Sequence, residues 1–298
     1  MDDDRTQATD EALNGPDVSR RGFGALSIGA GVAVTAGTPA KAAELPVTET
    51  DVTIKTADGT CDAAFIHPTT GTYPGVIIWP DALGLRPEFR KMGRRLAAAG
   101  YAVLVPNPFY RSAKAPVFDS AKFSFSNPED MGKLQKMMGS MNPKGAETDT
   151  VAFVAFLDAQ PQMKKGSKIG TQGYCMGGPL VMRTAATMPD RIGAAASFHG
   201  GGLVTTNPDS PHLLVPKIKA KTLIAVAEND DQKQPDAKDV LKKAFADAKN
   251  PAEVEVYPAL HGWCVGDMPL QDGKPLYNKE HAERAWTRLL ATYKAGLA

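Results

Sequence analysis

The chain is short of cysteine, with three in 298 residues. That is too few for a fold stapled by disulfides, and an odd number leaves at least one thiol without an internal partner. No excess of charge of either sign is present: Lys+Arg 34 against Asp+Glu 33 give a formal net charge of +1. That balance gives no electrostatic reason to expect nucleic acid or anionic lipid as a partner. The longest apolar stretch falls short of the roughly 18–20 residues that span a bilayer, so no stable membrane anchor is expected. There is no internal repeat, low-complexity linker or long Pro/Ser-rich tract. What remains is an ordinary globular composition, 43% hydrophobic and 22% charged, on a chain long enough to bury a large core.

One segment departs from that average. Residues 1–18 are polar and mostly acidic, and Ser19-Arg20-Arg21-Gly22-Phe23 then leads into a weakly apolar, Gly/Ala-rich stretch from about Gly24 to Ala36. Pro39-Ala40-Lys41-Ala42-Ala43 follows, with small residues at the A-x-A spacing of a signal-peptidase site. A basic region, a short apolar core and a small-residue site form a secretory signal. The paired arginines resemble a bacterial twin-arginine signal, which exports proteins already folded. Residues 1–42 are therefore expected to be an export segment, disordered or removed, and the protein to be periplasmic or secreted. Its loss takes away four basic and six acidic side chains, leaving a slightly more basic body.

From residue 43 onward, short apolar runs alternate with longer amphipathic segments. Val52–Thr56 and Cys61–Ile66 alternate in polarity around Asp58-Gly59, a hairpin signal. Val76–Trp79 is a continuous β-rich run, as in a strand buried on both faces. A helix is predicted from Pro87 to about Ala99, with proline in its first turn and Gly100 just past its end. Further strands are predicted at Ala102–Val105, Lys168–Tyr174, Ala194–Phe198, Thr222–Ala227 and Glu253–Tyr257. Further helices are predicted at Thr148–Ala159, Met176–Thr187, Pro235–Ala248 and His281–Leu297. The alternation argues for a single α/β domain over 43–298, a mostly parallel sheet with helices on both faces. In such folds the working residues sit on loops beyond the carboxyl ends of the strands.

Gly173-Tyr174-Cys175-Met176-Gly177-Gly178 lies directly after a predicted strand and directly before a helix. It has the form of a nucleophile elbow with cysteine in place of serine. A nucleophile on so sharp a turn has a strained backbone, and side chains at Gly173 and Gly177 would collide with it. The helix start aims free N–H groups and a positive dipole end at the thiol, favouring thiolate and an oxyanion. The competing reading is a buried structural cysteine or half of a disulfide.

A nucleophile needs a base, and the base needs an orienting acid. In this fold the order is nucleophile, acid, histidine. Asp230 and Asp231, with Glu228 nearby, follow the strand Thr222–Ala227, and physics alone leaves the acid open among them. His261 follows Glu253–Tyr257. His199, after the strand ending at Phe198, is the one other histidine placed to line a pocket. After Val76–Trp79 comes Pro80-Asp81-Ala82-Leu83-Gly84-Leu85-Arg86-Pro87, where the backbone N–H of Ala82 would pair with that of Met176 as an oxyanion hole. Asp81 would then face the cysteine, or else cap the helix at Pro87.

These pieces resemble the dienelactone hydrolase family of α/β-hydrolases along nearly the whole of 43–298. The matching segments are Asp81–Arg86, Gly100–Asn107, Gly173–Gly178, Glu228-Asn229-Asp230 and His261-Gly262-Trp263. The resemblance implies a Cys175–His261–Asp230 triad, with no cofactor and no metal. It implies an Asp81 that stands where the family has glutamate, an Arg111 that matches the first of two arginines gripping a substrate carboxylate, and Trp263 beside the site. The second arginine is missing: Trp263-Cys264-Val265-Gly266-Asp267 carries an acid instead. Between Arg111 and Thr148 the chain holds Phe118, Phe123, Phe125, Met131, Met137, Met138 and Met141. This insertion, about 112–147, is either a cap over an acyl or aromatic pocket or a segment packed onto the body.

The expected activity is hydrolysis of a small-molecule ester or lactone, with thioesterase or general carboxylesterase activity on the same triad as alternatives. A protein of another class, an exported binding protein that keeps the fold without the chemistry, is the remaining reading. In an oxidising compartment Cys61 and Cys264 would pair with each other, or Cys264 with Cys175. A monomer or dimer is expected.

Overall fold

In the computed structural model, residues 44–271 and 273–298 are described; the export segment expected at 1–42 lies outside them. Eight strands form one sheet: β1 Val47–Thr56, β2 Gly59–Pro68, β3 Gly75–Trp79, β4 Ala102–Pro106, β5 Ile169–Tyr174, β6 Ile192–Phe198, β7 Lys221–Ala227 and β8 Glu253–Tyr257. Their order across the sheet is β1-β2-β4-β3-β5-β6-β7-β8. The first two strands form the expected hairpin, and β2 also runs antiparallel to β4. From β4 to β8 every pairing is parallel. The central strands are buried along their whole length, as apolar runs covered on both faces must be.

Seven α-helices accompany the sheet: α1 Pro87–Ala98, α2 Pro128–Gly139, α3 Pro143–Asp158, α4 Gly177–Thr187, α5 Glu228–Lys233, α6 Ala237–Asp247 and α7 Lys279–Gly296. One face of the sheet is covered by α3, α4 and α6, whose Phe153, Leu157, Val181, Leu241 and Phe245 join Ile77 and Trp79 in one core. The other face is covered by α1 and α7, whose Phe89, Leu96, Leu289 and Tyr293 pack with Val76, Ile78 and Tyr174. Alternation along β3 therefore feeds both cores, one residue at a time.

Four elements differ from the sequence reading. Helix α3 begins at Pro143 and not at Thr148, because the Asn142 side chain accepts the Gly145 N–H at 2.7 Å and Pro143 occupies the first turn. The segment 112–147 contains α2, capped by Asn127. The stretch around Asp230 is the short helix α5, and a 3-10 helix, Pro211–Lys217, precedes β7.

The register aligns the carboxyl ends of the strands. Trp79 pairs with Gly173, Tyr174 with Phe198, Phe198 with Ala225, and Ala227 with Tyr257. The segments holding Ala82, Cys175, His199, Asp230 and His261 thus leave one edge of the sheet.

Candidate active site

Cys175 is the residue on which the strand-to-helix turn pivots. Its φ is 52°, a left-handed value that a non-glycine residue adopts only when its surroundings enforce it. Enforcement comes from the backbone: Cys175 N–H donates to the Phe198 carbonyl at 3.1 Å, and Cys175 C=O accepts from Gly178 N–H at 3.0 Å. A Cβ at Gly173 would run into the Gly177 carbonyl, and one at Gly177 into the Trp79 carbonyl. The steric reason read from the sequence is thus present at both glycines. No side chain caps α4, so the positive end of its dipole stays beside Cys175.

His261 stands at the same edge. Its Nδ1 lies 2.5 Å from Asp230 Oδ2, and its backbone N–H donates to Asn229 Oδ1 at 2.8 Å. Burial alone pushes the imidazole pKa down, but hydrogen bonds and charge from Asp230 and Cys175 outweigh it and raise the value to about 10. Cys175 and His261 line the same cavity. Among the three acids left open by sequence, Asp231 is held by Lys238 Nζ at 2.8 Å, Glu228 is exposed, and Asp230 takes the imidazole.

These groups meet at a cavity of about 550 Å³ whose wall includes Asp81, Ala82, Leu83, Cys175, Asn229, Asp230 and His261. The insertion contributes Ser124, Phe125 and Ser126, and the segment after His261 contributes Met268, Pro269, Leu270, Gln271 and Leu276. Among the described residues, neither the Ala82 nor the Met176 amide donates to a protein acceptor. Both residues pack with Cys175 in a satellite apolar cluster.

Other expected site residues are placed differently. Asp81 reaches the cavity, but it neither caps α1 nor stands free. Its carboxylate receives both terminal nitrogens of Arg86, at 2.6 and 2.9 Å, and the Leu83 N–H at 2.9 Å. Arg86 is almost fully buried and also grips Asp267, at 2.7 and 2.8 Å. Asp267 in turn accepts from Ser120 Oγ at 2.7 Å, so one guanidinium ties three segments around the cavity. Arg111 does not line the cavity: Asp149 takes its guanidinium at 2.8 and 2.9 Å, and Asp58 at 2.7 Å. It is therefore a structural cross-link between the β1–β2 turn and α3. Trp263 lies in the core, stacked on Tyr257 at 5.2 Å.

His199 does not line the cavity either. It is buried, has a φ of 40°, and sits with its ring 4.8 Å from that of His261 and 5.0 Å from that of Trp263. Neither of its ring nitrogens has a hydrogen-bond partner. Burial first, and the neighbouring His261 second, hold its pKa well below the usual value, so it backs the site as a neutral ring.

All three cysteines are free thiols, so of the pairings left open by the sequence neither Cys61–Cys264 nor Cys264–Cys175 is present. Cys61 is buried in β2 beside the Asn107 carbonyl, and Cys264 lines a separate cavity of about 150 Å³ between α1 and α7. Burial pushes both of these thiols well up.

Within the insertion, Phe118, Phe123, Leu134 and Met137 are buried against Ala82, Leu83, Phe109 and Met176. Phe125, 43% exposed, is the aromatic side chain of this segment that reaches the cavity. Most of the segment's apolar side chains thus pack it onto the body, while Ser124, Phe125 and Ser126 form part of the cavity wall. Sequence reasoning missed the roles of Arg86 and Asn229, although both lie inside the quoted motifs, and it missed the segment Met268–Leu276 entirely. Among the described residues, no group of three His, Cys, Asp or Glu side chains is arranged to hold a metal ion, and no helix is long and apolar enough to cross a membrane.

A parallel sheet flanked on both faces, with an elbow cysteine and a histidine–carboxylate pair at its carboxyl edge, defines the α/β-hydrolase class. Comparison with known proteins narrows the class. The dienelactone hydrolase family matches residues 61–297, and the chain belongs to that family. Carboxymethylenebutenolidase 1 of Cupriavidus pinatubonensis is 23% identical over 203 residues, covering 68% of this chain and 80% of the relative. A dienelactone hydrolase-like promiscuous phosphotriesterase from metagenomic libraries superimposes with a TM-score of 0.68 at 24% identity, covering 85% of this chain and 100% of the other. The dienelactone hydrolase of Anabaena variabilis gives a TM-score of 0.56 at 18% identity, over 85% and 99% of the two chains. Family membership makes this chain a carboxylic ester hydrolase.

Proposed function

We propose that the chain hydrolyses an ester or lactone by acyl transfer through Cys175. The observation that carries this reading is the 2.5 Å contact of His261 Nδ1 with Asp230, beside a thiol on the elbow, in one cavity. Asp230 fixes the imidazole so that its other nitrogen faces Cys175, and it favours the protonated ring. Cys175 as thiolate attacks the carbonyl carbon, forming the C–S bond, and the electron pair moves to the carbonyl oxygen. The free amides of Ala82 and Met176 receive that oxyanion. His261 gives its proton to the leaving oxygen as the ester C–O bond breaks, and the alcohol departs. Water then gives a proton to His261 and attacks the thioester, and collapse returns the acid and the thiolate.

Replacing Cys175 with alanine is expected to abolish turnover of a small aryl ester while circular dichroism and Tm stay close to wild type. Wild-type rates in that variant would remove the thiol from the reaction.

A further inference from the structure

We propose that the substrate is a neutral ester that is apolar on both sides of the scissile bond, with its acyl half against Leu83 and Phe125 and its alcohol half against Met268, Leu270 and Leu276. The proposal rests on the acyl-transfer reading above.

The charge around the cavity argues first. Arg86 is shared between Asp81 and Asp267, so one cation answers two anions and the group is left net negative. Arg111, held by Asp58 and Asp149, does not line the cavity. Apart from His261, which is paired with Asp230, Lys233 is the cationic side chain on the cavity wall, and it is exposed at the end of α5, where water screens it. A carboxylate on the substrate would thus approach fixed anions with no guanidinium free to receive it. Such an arrangement selects against anions.

Two apolar walls argue next. Phe125 packs edge-on against Phe123 at 5.0 Å, and Phe123 against Phe118 at 5.3 Å. This row stands on the cluster that includes Ala82 and Leu83. In the segment after His261, Met268 and Leu276 close over Gly262: a Cβ there would meet them at 3.3 and 3.5 Å. Phe125 and Leu270, 43% and 64% exposed, both face the cavity. Apolar surface concentrated at a cavity mouth marks ligand contact.

The chemistry assigns the halves. His261 must reach the leaving oxygen, which puts the alcohol on the side of Met268 and Leu276. The carbonyl oxygen at Ala82 turns the acyl carbon chain toward Leu83 and Phe125.

The test compares kcat/KM for p-nitrophenyl acetate, butyrate and hexanoate, for alkyl hexanoates of increasing alcohol length, and for p-nitrophenyl hemisuccinate against butyrate. We expect a gain of about threefold per added methylene in both neutral series, and butyrate ahead of hemisuccinate by about tenfold. Phe125→Ala should flatten the acyl series while the alcohol series stays graded, and Leu276→Ala should do the reverse. Because each readout is a ratio within one variant, partial loss of folded protein does not move it. Flat series in wild type, or one variant flattening both series alike, overturns the assignment. So does a preference for hemisuccinate that Lys233→Ala removes. If no ester is cleaved, or Cys175→Ala cleaves them at wild-type rates, it is the acyl-transfer reading that fails instead.

Discussion

His261 is subject to opposing influences, and their outcome can be measured. Burial favours the neutral ring, whereas Asp230 and Cys175 favour the charged one and carry the pKa from 6.5 to about 10. Asp230→Asn removes a charge and a charged acceptor while burial remains. An NMR titration of the ring in that variant is expected to show its pKa falling well below the wild-type value. The sign for stability follows. A folded pKa above the unfolded one stabilises the native state fully below about pH 6.5, and this contribution is lost as pH rises through about 10. Arg111 gives the opposite kind of result. Asp149 is buried against it, so Arg111→Ala leaves a buried carboxylate with only the Tyr110 hydroxyl as partner and should cost about 3 kcal/mol in urea unfolding. The KM for a small ester should hold, because Arg111 is not part of the cavity wall.

Among the elements, the insertion couples packing to chemistry. Phe118 is buried with Phe123 and Met137 against Ala82 and Met176, the residues whose amides we propose receive the oxyanion. Phe118→Ala is expected to cost about 3 kcal/mol. It should also lower kcat on a small ester about tenfold by loosening the position of those amides, with far-UV circular dichroism unchanged. The strands were legible in the sequence because burial on both faces leaves runs such as Val76–Trp79, and their ends led directly to Cys175, Asp230 and His261. The start of α3 was also legible, in Asn142-Pro143, but its weakly apolar first turns masked it. Helix α2 buries only Leu134 and Met137, too little to imprint a helical period. Arg111 was placed wrongly because its partners lie 53 residues upstream and 38 downstream. Such a cross-link leaves no local trace, and the same holds for Arg86 with Asp267, 181 residues apart.

At the scale of the whole molecule, the site spans four adjacent strands. Cys175 leaves β5, Asp230 follows β7, and His261 follows β8. The intervening strand, β6, is followed directly by His199, which packs against His261 as a neutral ring. The sheet therefore holds the groups in place as a rigid frame, and each loop supplies a single function. That frame is built without a covalent cross-link, since every cysteine among the described residues is a free thiol. The chain can accordingly reach its final fold in a reducing environment, with no oxidant to complete it. Two of its thiols are raised by burial and so resist attack, while the third faces the open cavity. Mild peroxide is expected to erase ester turnover, a thiol reductant to restore it, and Tm to stay put throughout. Oxygen chemistry then touches this enzyme as a question of activity and never as one of architecture.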